Sequence, residues 1–285
     1  MTSPCVTSSP STREDDTVSE YNELLKAVTV IATEAGDRLL DVYDADARPK
    51  DAQAMREAAE RNERVSSDGT REALSALLPD ARFVGDAEEA SPLPDDGDWW
   101  VIDDAEGSVN HVHGLPEWGV SIALVRGGAP VLAVFRQPVP DLTYTAAVGA
   151  GAFVNERPLQ VSSKQGLEIA IVGTGQAEAK QRDTYSLIGS SITTMLDAAF
   201  LVRATVPSTF PMLLVAAGNM DAFWQYEPIL PGVAVGSLLI SEAGGVVTTI
   251  DGKPWTPGSD TILVGAPGVH PFVRDALAAT GVTIR

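Results

Sequence analysis

The chain has 285 residues, of which 44% are hydrophobic and 21% are charged, a composition typical of a globular protein with one large domain or two small ones. Its formal net charge of −19 argues against nucleic acid and anionic membrane surfaces as partners, because both repel a field of this sign. The charge does not exclude a phosphorylated substrate, since a bound divalent cation reverses the local sign.

The cysteine content and the N-terminal segment favour a cytoplasmic protein. Cys5 is the only cysteine in the sequence, so no intrachain disulfide is possible and a reducing compartment is expected. Residues 1–16 are polar, lack the apolar stretch of a signal peptide, and are predicted to form a disordered tail. No apolar run reaches the ~18 residues of a membrane-spanning helix, so a soluble protein without a membrane partner is predicted.

Helical patterns come first in the chain. Thr17 and Glu20 have the spacing of a capping box and open a long helical pattern that continues through "RLLDVY". A second, polar helix is predicted over "AQAMREAAERNE", and a third, through "TREALSALL", is stopped by Pro79.

Short strands follow the helices. "ARFVG" and "WWVID" are predicted buried strands, and a hairpin turns around Gly127-Gly128. Two more strands are predicted within "LTYTAAVGAGAFVNERPLQVS", so this part favours an antiparallel sheet. Beyond residue 168, predicted strands and helices alternate, ending in a helix from Pro271. The sequence therefore predicts a layered α/β (α+β) protein, divided into subdomains at residues 17–165 and 166–285.

The end of the strand "WWVID" carries the most conspicuous polar cluster. Asp103, Asp104 and Glu106 follow the apolar run directly, and Ser108 comes after Gly107. A turn at Ala105 would bring Asp103 and Glu106 together and also present the Ala105 carbonyl. Carboxylates, a carbonyl and a hydroxyl form an all-oxygen set that suits a hard cation such as Mg²⁺.

A second group of acids, Asp86, Glu88 and Glu89, follows the preceding strand. If the two strands are neighbours, Asp86 faces Asp103, and such crowding of carboxylates is more easily explained with a metal present. The alternative is an ordinary acidic loop, because the chain has 39 acidic residues and Asp or Ser beside Gly is common in turns.

Three other features favour structural roles. "EAGG" at residues 242–245 is typical of a helix that stops at glycine before a strand. The tryptophans at 99, 100, 118 and 224 are expected in the core or at a subunit contact. His111 and His113 are predicted to make hydrogen bonds in a loop and not to bind zinc, since no cysteine accompanies them.

Four segments resemble the inositol monophosphatase-like proteins in order and spacing: "FVGDAEE", "WWVIDDAEGSVNHVHGLPEWGVSIALV", "GAGAFVNERPLQVS" and "EAGGVVTTIDGKPW". The resemblance covers roughly residues 18–285. It implies an αβαβα sandwich, usually a homodimer, and Mg²⁺-dependent hydrolysis of small phosphate monoesters such as sugar, cyclitol or nucleotide phosphates.

The resemblance also implies roles for individual residues. The first acidic motif, G-E-E in the family, falls on Gly85-Asp86-Ala87, and D-P-I-D-G-T falls on residues 103–108. The implied metal ligands are Asp86, Asp103, the Ala105 carbonyl and Glu106. The implied catalytic residues, which position and activate the attacking water, are Asp68, Glu106 and Ser108.

The implied substrate-binding positions depart further from the family pattern. The family's W-D pair falls on Pro231-Gly232, so the downstream metal-binding Asp is absent, and an acidic sugar-contacting position falls on Gln225. The full set of implied substrate-binding residues is Gly107, Ser108, Val206, Ser208, Gln225, Glu227 and Gly232.

Three functions therefore remain open. The first is a diverged phosphatase that keeps Mg²⁺. The second is a biosynthetic enzyme of the same fold with acid/base chemistry on Asp103, Glu106 and Glu227 that does not need a metal. The third is a non-catalytic binding protein.

Overall fold

The computed structural model describes residues 10–85, 93–176 and 182–279. Two β-sheets form its framework. The first sheet has seven strands in sequential order, β1 to β7: Arg82–Phe83, Asp98–Glu106, Gly119–Arg126, Ala129–Gln137, Leu142–Ala147, Gly151–Val154 and Arg157–Pro158. The second has five strands in the order β11-β12-β10-β8-β9: Val246–Thr248, Thr261–Gly265, Ala222–Tyr226, Ile171–Thr174 and Leu201–Ala204.

The first sheet is antiparallel from β2 to β7, as the sequence predicts, and only β1 runs parallel to its neighbour β2. The predicted hairpin around Gly127-Gly128 joins β3 to β4, and both glycines have positive φ. The sheet is buried on both faces. Along β3, Ile122 and Leu124 pack on one side, whereas Ala123 and Val125 pack on the other, which explains why the strand is apolar without interruption.

Eight helices are described: Pro10–Asp41 (α1), Ala52–Ser67 (α2), Thr70–Leu77 (α3), Ser108–Val112 (α4), Arg182–Ala198 (α5), Thr209–Ala216 (α6), Leu230–Glu242 (α7) and His270–Ala278 (α8). Helix α1 begins at Pro10, before the predicted capping box at Thr17, so it includes part of the segment predicted to be disordered. Residues 1–9 lie outside the described residues.

The helices form layers around the two sheets. Helix α1 packs on one face of the first sheet, with Val28 and Leu39 buried in that core. Helix α7 lies between the sheets, because Leu239 shares a core with Ala133 of the first sheet and Phe223 of the second. Helices α5 and α8 cover the far face of the second sheet. The predicted αβαβα layering is therefore confirmed.

Residues 82–158 supply every strand of the first sheet, and residues 171–265 supply every strand of the second. The predicted subdomain boundary near residue 165 lies between these ranges and stays a prediction. The predicted glycine stop is confirmed: α7 ends at Glu242 and Gly244 follows with φ 84°. No helix of the described residues combines the length and apolarity needed to cross a bilayer.

Candidate functional site

A β-bulge at the end of β2 shapes the acidic cluster. Asp103 pairs with Ser121 of β3, but Glu106, three residues later, pairs with Gly119, only two residues along. Because β2 has one extra residue here, the alternation of its side chains between the two faces shifts by one. Asp103 and Glu106 therefore lie on the same face of the sheet. The predicted turn at Ala105 is wrong, because β2 continues to Glu106; the bulge brings the two acids to one side instead.

One hydrogen bond forms within the bulge, and its two acids differ in burial. The Ala105 backbone N–H donates to Asp103 Oδ1 at 3.0 Å, which turns that carboxylate toward its own backbone. Glu106 is 2% exposed. The two carboxylates therefore differ: one is half-buried and one is enclosed.

The chain turns at Gly107 and enters helix α4. Gly107 has φ 76°, a left-handed conformation that glycine adopts without strain. A Cβ at this position would lie 2.5 Å from the Glu117 carbonyl oxygen and 3.2 Å from Pro207 Cγ. The glycine thus lets the strand end approach the loop before α6 closely.

Ser108 begins α4 and lies beside a buried polar network. Asn62 of α2 is fully buried; its Nδ2 is 2.9 Å from His111 Nδ1 and 3.5 Å from Ser108 Oγ. His111 Nε2 is 3.0 Å from the Leu39 carbonyl oxygen. Burial lowers the pKa of His111, which favours the neutral ring. The consistent assignment protonates Nε2 toward the Leu39 carbonyl and lets Nδ1 accept from Asn62.

Asp104 is a buried acid to which the sequence analysis gave no separate role. Its Oδ1 is buried without a hydrogen-bond partner in the described structure. Burial is the main cause that raises its pKa, and Asp103 adds to the rise, whereas Arg71 opposes it. The sequence carries no local signal for this, because Asp104 lies within the bulge between Asp103 and Glu106, among other acids.

A second wall of the site comes from distant parts of the chain. The Val206 carbonyl accepts a hydrogen bond from Asn110 Nδ2 at 3.1 Å, and Pro207 lies against Gly107. Ser208 Oγ donates to Gln225 Oε1. The structure thus brings Gly107, Ser108, Val206, Ser208 and Gln225 into one region, as the resemblance implies.

Gly232 belongs to the same wall and has space around it. A Cβ on Gly232 would have one neighbour within 4 Å, Ser208 Cβ at 4.0 Å. The Gly232 carbonyl accepts a hydrogen bond from Thr209 Oγ1 at 2.9 Å. No side chain of the described residues replaces the absent aspartate at this Cβ position.

The remaining predicted site residues have different surroundings. Glu227 has φ 46° and accepts a hydrogen bond from the buried Thr184 hydroxyl, so its carboxylate is engaged with α5. Asp68 is exposed at the C-cap of α2. Asp86 lies outside the described residues; the preceding strand β1 pairs with β2, which meets the condition under which Asp86 was expected to face Asp103.

The donors present match Mg²⁺ in chemical type. Asp103, Glu106 and the Ala105 carbonyl are all oxygen ligands, the set that a hard cation prefers. Within the described ranges, no group of three or more His, Cys, Asp or Glu side chains is arranged to hold a metal ion. The neighbouring segment 86–92, with Asp86, falls outside those ranges.

His111 and His113 make hydrogen bonds, as predicted, but the predicted loop is wrong, because His111 lies in helix α4 and His113 is its C-cap. Besides the contacts of His111, His113 Nδ1 lies 2.7 Å from the Val109 carbonyl oxygen. Trp100, Trp118 and Trp224 are at most 1% exposed and belong to the cores.

The sequence matches a known protein family. Residues 20–280 match the model of the inositol monophosphatase family. An inositol-1-monophosphatase of Rhizobium meliloti is 33% identical over 209 residues, which cover 73% of this chain and 77% of that protein. A Nus factor SuhB of Pseudomonas aeruginosa is 36% identical over 155 residues, covering 54% of this chain and 57% of that protein.

Solved structures agree with these sequence matches. The inositol monophosphatase of Anabaena superposes with a TM-score of 0.79 at 25% identity, covering 90% of this chain and 96% of that chain. The fold, the family model and the sequence matches point to one assignment: the chain belongs to the inositol monophosphatase family.

Proposed function

We propose that this protein is a Mg²⁺-dependent phosphatase that hydrolyses a small phosphate monoester. The observation that supports the proposal is the bulge of β2: the pairing of Asp103 with Ser121 and of Glu106 with Gly119 favours one face for both acids, and Ser108 follows at the start of α4. Relatives named inositol-1-monophosphatase support the class of reaction.

Asp103, Glu106 and the Ala105 carbonyl would hold the cation, together with Asp86. When bound, Mg²⁺ neutralises the charge that develops on the phosphoryl oxygens. The absence of a side chain at Gly232 removes one carboxylate from the set that the family pattern implies, so the affinity for a second metal is expected to be low.

The chain's own residues position the attacking water. Glu106 is enclosed and acts with Ser108 to hold the water in line with the phosphorus. Asn62 orients the Ser108 hydroxyl through its Nδ2, and the family pattern assigns a further role in orienting the water to Asp68 at the C-cap of α2. The water oxygen forms a bond to phosphorus while the phosphorus–oxygen bond to the alcohol breaks. The alcohol leaves with a proton, and inorganic phosphate remains.

The experiment is phosphate release from sugar, cyclitol, nucleotide and simple alcohol phosphates, with and without Mg²⁺. Release should need Mg²⁺ and should fall by about a thousandfold or more in Asp103→Asn, because the electrostatic stabilisation of the phosphoryl group is lost. Asp80→Asn, an exposed acid outside the site, is the matched control and should keep full activity.

Activity that survives EDTA would support the second function, metal-independent acid/base chemistry, and would overturn the proposal. An absence of release at millimolar Mg²⁺, with no heat of Mg²⁺ binding in calorimetry, would also overturn it.

We further propose that the protein is a homodimer that uses an apolar patch at the edge strand β9. Phe200 is 69% exposed and Leu196 is 66% exposed, and Ile169 and Leu201 adjoin them. Apolar surface at an open strand edge is costly to leave in water and typical of an interface. Light scattering should report a dimer that Phe200→Glu converts to a monomer, while Val148→Glu, at an exposed position in the turn after β5, leaves it intact. A wild-type monomer at micromolar concentration would refute this assembly.

A further inference from the structure

A cavity of about 340 Å³ lies between α5 and the carboxyl ends of β8 and β9. Strands β8 and β9 are parallel and are joined through α5, and the residues that follow both strands line the cavity. In open α/β sheets, this edge is where ligands bind. The volume falls within the range of small-molecule sites, which begins at about 300 Å³.

The cavity borders residues of the candidate active site. Val206 lines it, and the adjacent Pro207 lies against Gly107. Gly175 lines it too, and a Cβ there would be 2.8 Å from Gln225 Oε1 and 3.1 Å from Ser208 Oγ. An ester bound at the candidate site would therefore have its alcohol part next to Gly175 and Val206, which line this cavity.

The lining is mostly apolar, and its two polar side chains, Gln176 and Thr205, are uncharged. Ile188, Ala204 and Val206 supply aliphatic surface, Tyr185 supplies an aromatic ring that is 49% exposed, and no lining residue in the described structure is charged. A polyhydroxylated group or a second phosphate would lose its hydration here without charged partners, which is costly. An apolar group instead gains from leaving water.

Helix α5 leaves the space open at one position. Gly189 lines the cavity, and a Cβ on Gly189 would meet no heavy atom within 4 Å. A larger side chain at this position therefore enters free volume and need not displace its neighbours.

We propose that this cavity binds an aromatic or aliphatic group carried by the alcohol part of the phosphate ester. The proposal rests on the phosphatase function proposed above, and it names the substrate class: a phosphate monoester of an alcohol with an apolar substituent. Ile188, Gly189 and Val206 are then residues that determine specificity and take no part in the chemistry.

The test compares two esters with Mg²⁺ and the full-length protein: 3-phenylpropyl phosphate and glycerol 2-phosphate. The wild type should hydrolyse the aryl-alkyl ester with a kcat/KM at least about tenfold higher, the discrimination that an apolar pocket provides. Gly189→Leu should fill the cavity and lower kcat/KM for 3-phenylpropyl phosphate about tenfold, mainly through KM, with less than about a twofold change for glycerol 2-phosphate.

Ser190→Leu introduces the same side chain at the next position of α5, which is exposed. It is the matched control and should leave kcat/KM for both esters unchanged. Equal kcat/KM values for both esters, or an equal effect of Gly189→Leu on both, would overturn the cavity assignment and leave the phosphatase proposal standing. Failure to hydrolyse either ester or any member of the wider panel would overturn both.

Discussion

Gly232 offers the sharpest test of how the site differs from the pattern of its family. The residue is the third of α7, and a Cβ there would have only Ser208 Cβ within 4 Å, at 4.0 Å. Replacing Gly by Ala in a helix without a clash stabilises a protein by about 0.4–1 kcal/mol. Gly232→Ala should therefore raise the free energy of unfolding by about 0.5 kcal/mol.

Gly232→Asp adds a carboxylate at the same place. Asp is a poorer helix former than Ala by roughly 0.7 kcal/mol, but a negative charge in the first turn regains about 0.3–1 kcal/mol from the helix dipole. Without metal, the variant should lie within about 0.5 kcal/mol of Gly232→Ala. If Gly232 faces the cation, Mg²⁺ should bind about tenfold more tightly to the variant, by the usual gain from one added oxygen ligand at a prepared site.

Urea unfolding measures the stabilities, and calorimetric titration with Mg²⁺ measures the affinity. Gly232→Ala controls for the added Cβ, so only the difference between the two variants reports the carboxylate. A loss of more than 1 kcal/mol in Gly232→Ala would show that the space is not there. An unchanged Mg²⁺ affinity in Gly232→Asp would refute the placement of Gly232 beside the cation.

Three further predictions concern single side chains. Gly107→Ala should destabilise the protein by about 2 kcal/mol in urea unfolding and abolish phosphate release. The position has φ 76°, which alanine disfavours, and the new Cβ would lie 2.5 Å from a carbonyl oxygen. Wild-type stability of this variant would contradict the prediction. Asn62→Leu should lower kcat about tenfold with little change in KM, since the Ser108 hydroxyl loses its buried donor; a change in KM alone would contradict the positioning role. The side-chain hydrogen bonds of Arg126 lower the pKa of Asp98, so this pair stabilises the fold above the unfolded pKa of about 3.9, and the contribution is lost as the pH falls through the folded value. Asp98→Asn should therefore cost about 1 kcal/mol at pH 7 and progressively less below about pH 4 in urea titrations; a cost independent of pH would contradict the ionic cause.

The strands and helices were predictable because their signals are local. The hairpin at Gly127-Gly128 needs two residues with positive φ, and the stop after Glu242 needs a glycine, so the sequence alone marks both. The αβαβα layering was implied by the resemblance. Helix α7 is apolar on all sides because it lies between two sheets, and a sequence pattern shows only that such a helix is buried.

The site was harder to predict because its geometry depends on register. Asp103 and Glu106 are three apart, which in a regular strand puts them on opposite faces, and only the pairing with Ser121 and Gly119 reveals the bulge. The burial of Asp104 follows from the same shift. No local pattern distinguishes it from the other acids of an acidic chain.

Asn110 shows how the two halves of the chain are joined at the site. Its Nδ2 donates to the Glu117 carbonyl at 2.9 Å, before β3, and to the Val206 carbonyl at 3.1 Å, before α6. The side chain is 8% exposed, so both bonds are shielded from water and competition for them is weak. One amide thus fixes the distance between the end of the acidic strand and the loop that leads into the apolar cavity. Under the proposed function, this contact would help to fix the alcohol relative to the phosphoryl group, and so tie specificity to the same helix that presents Ser108.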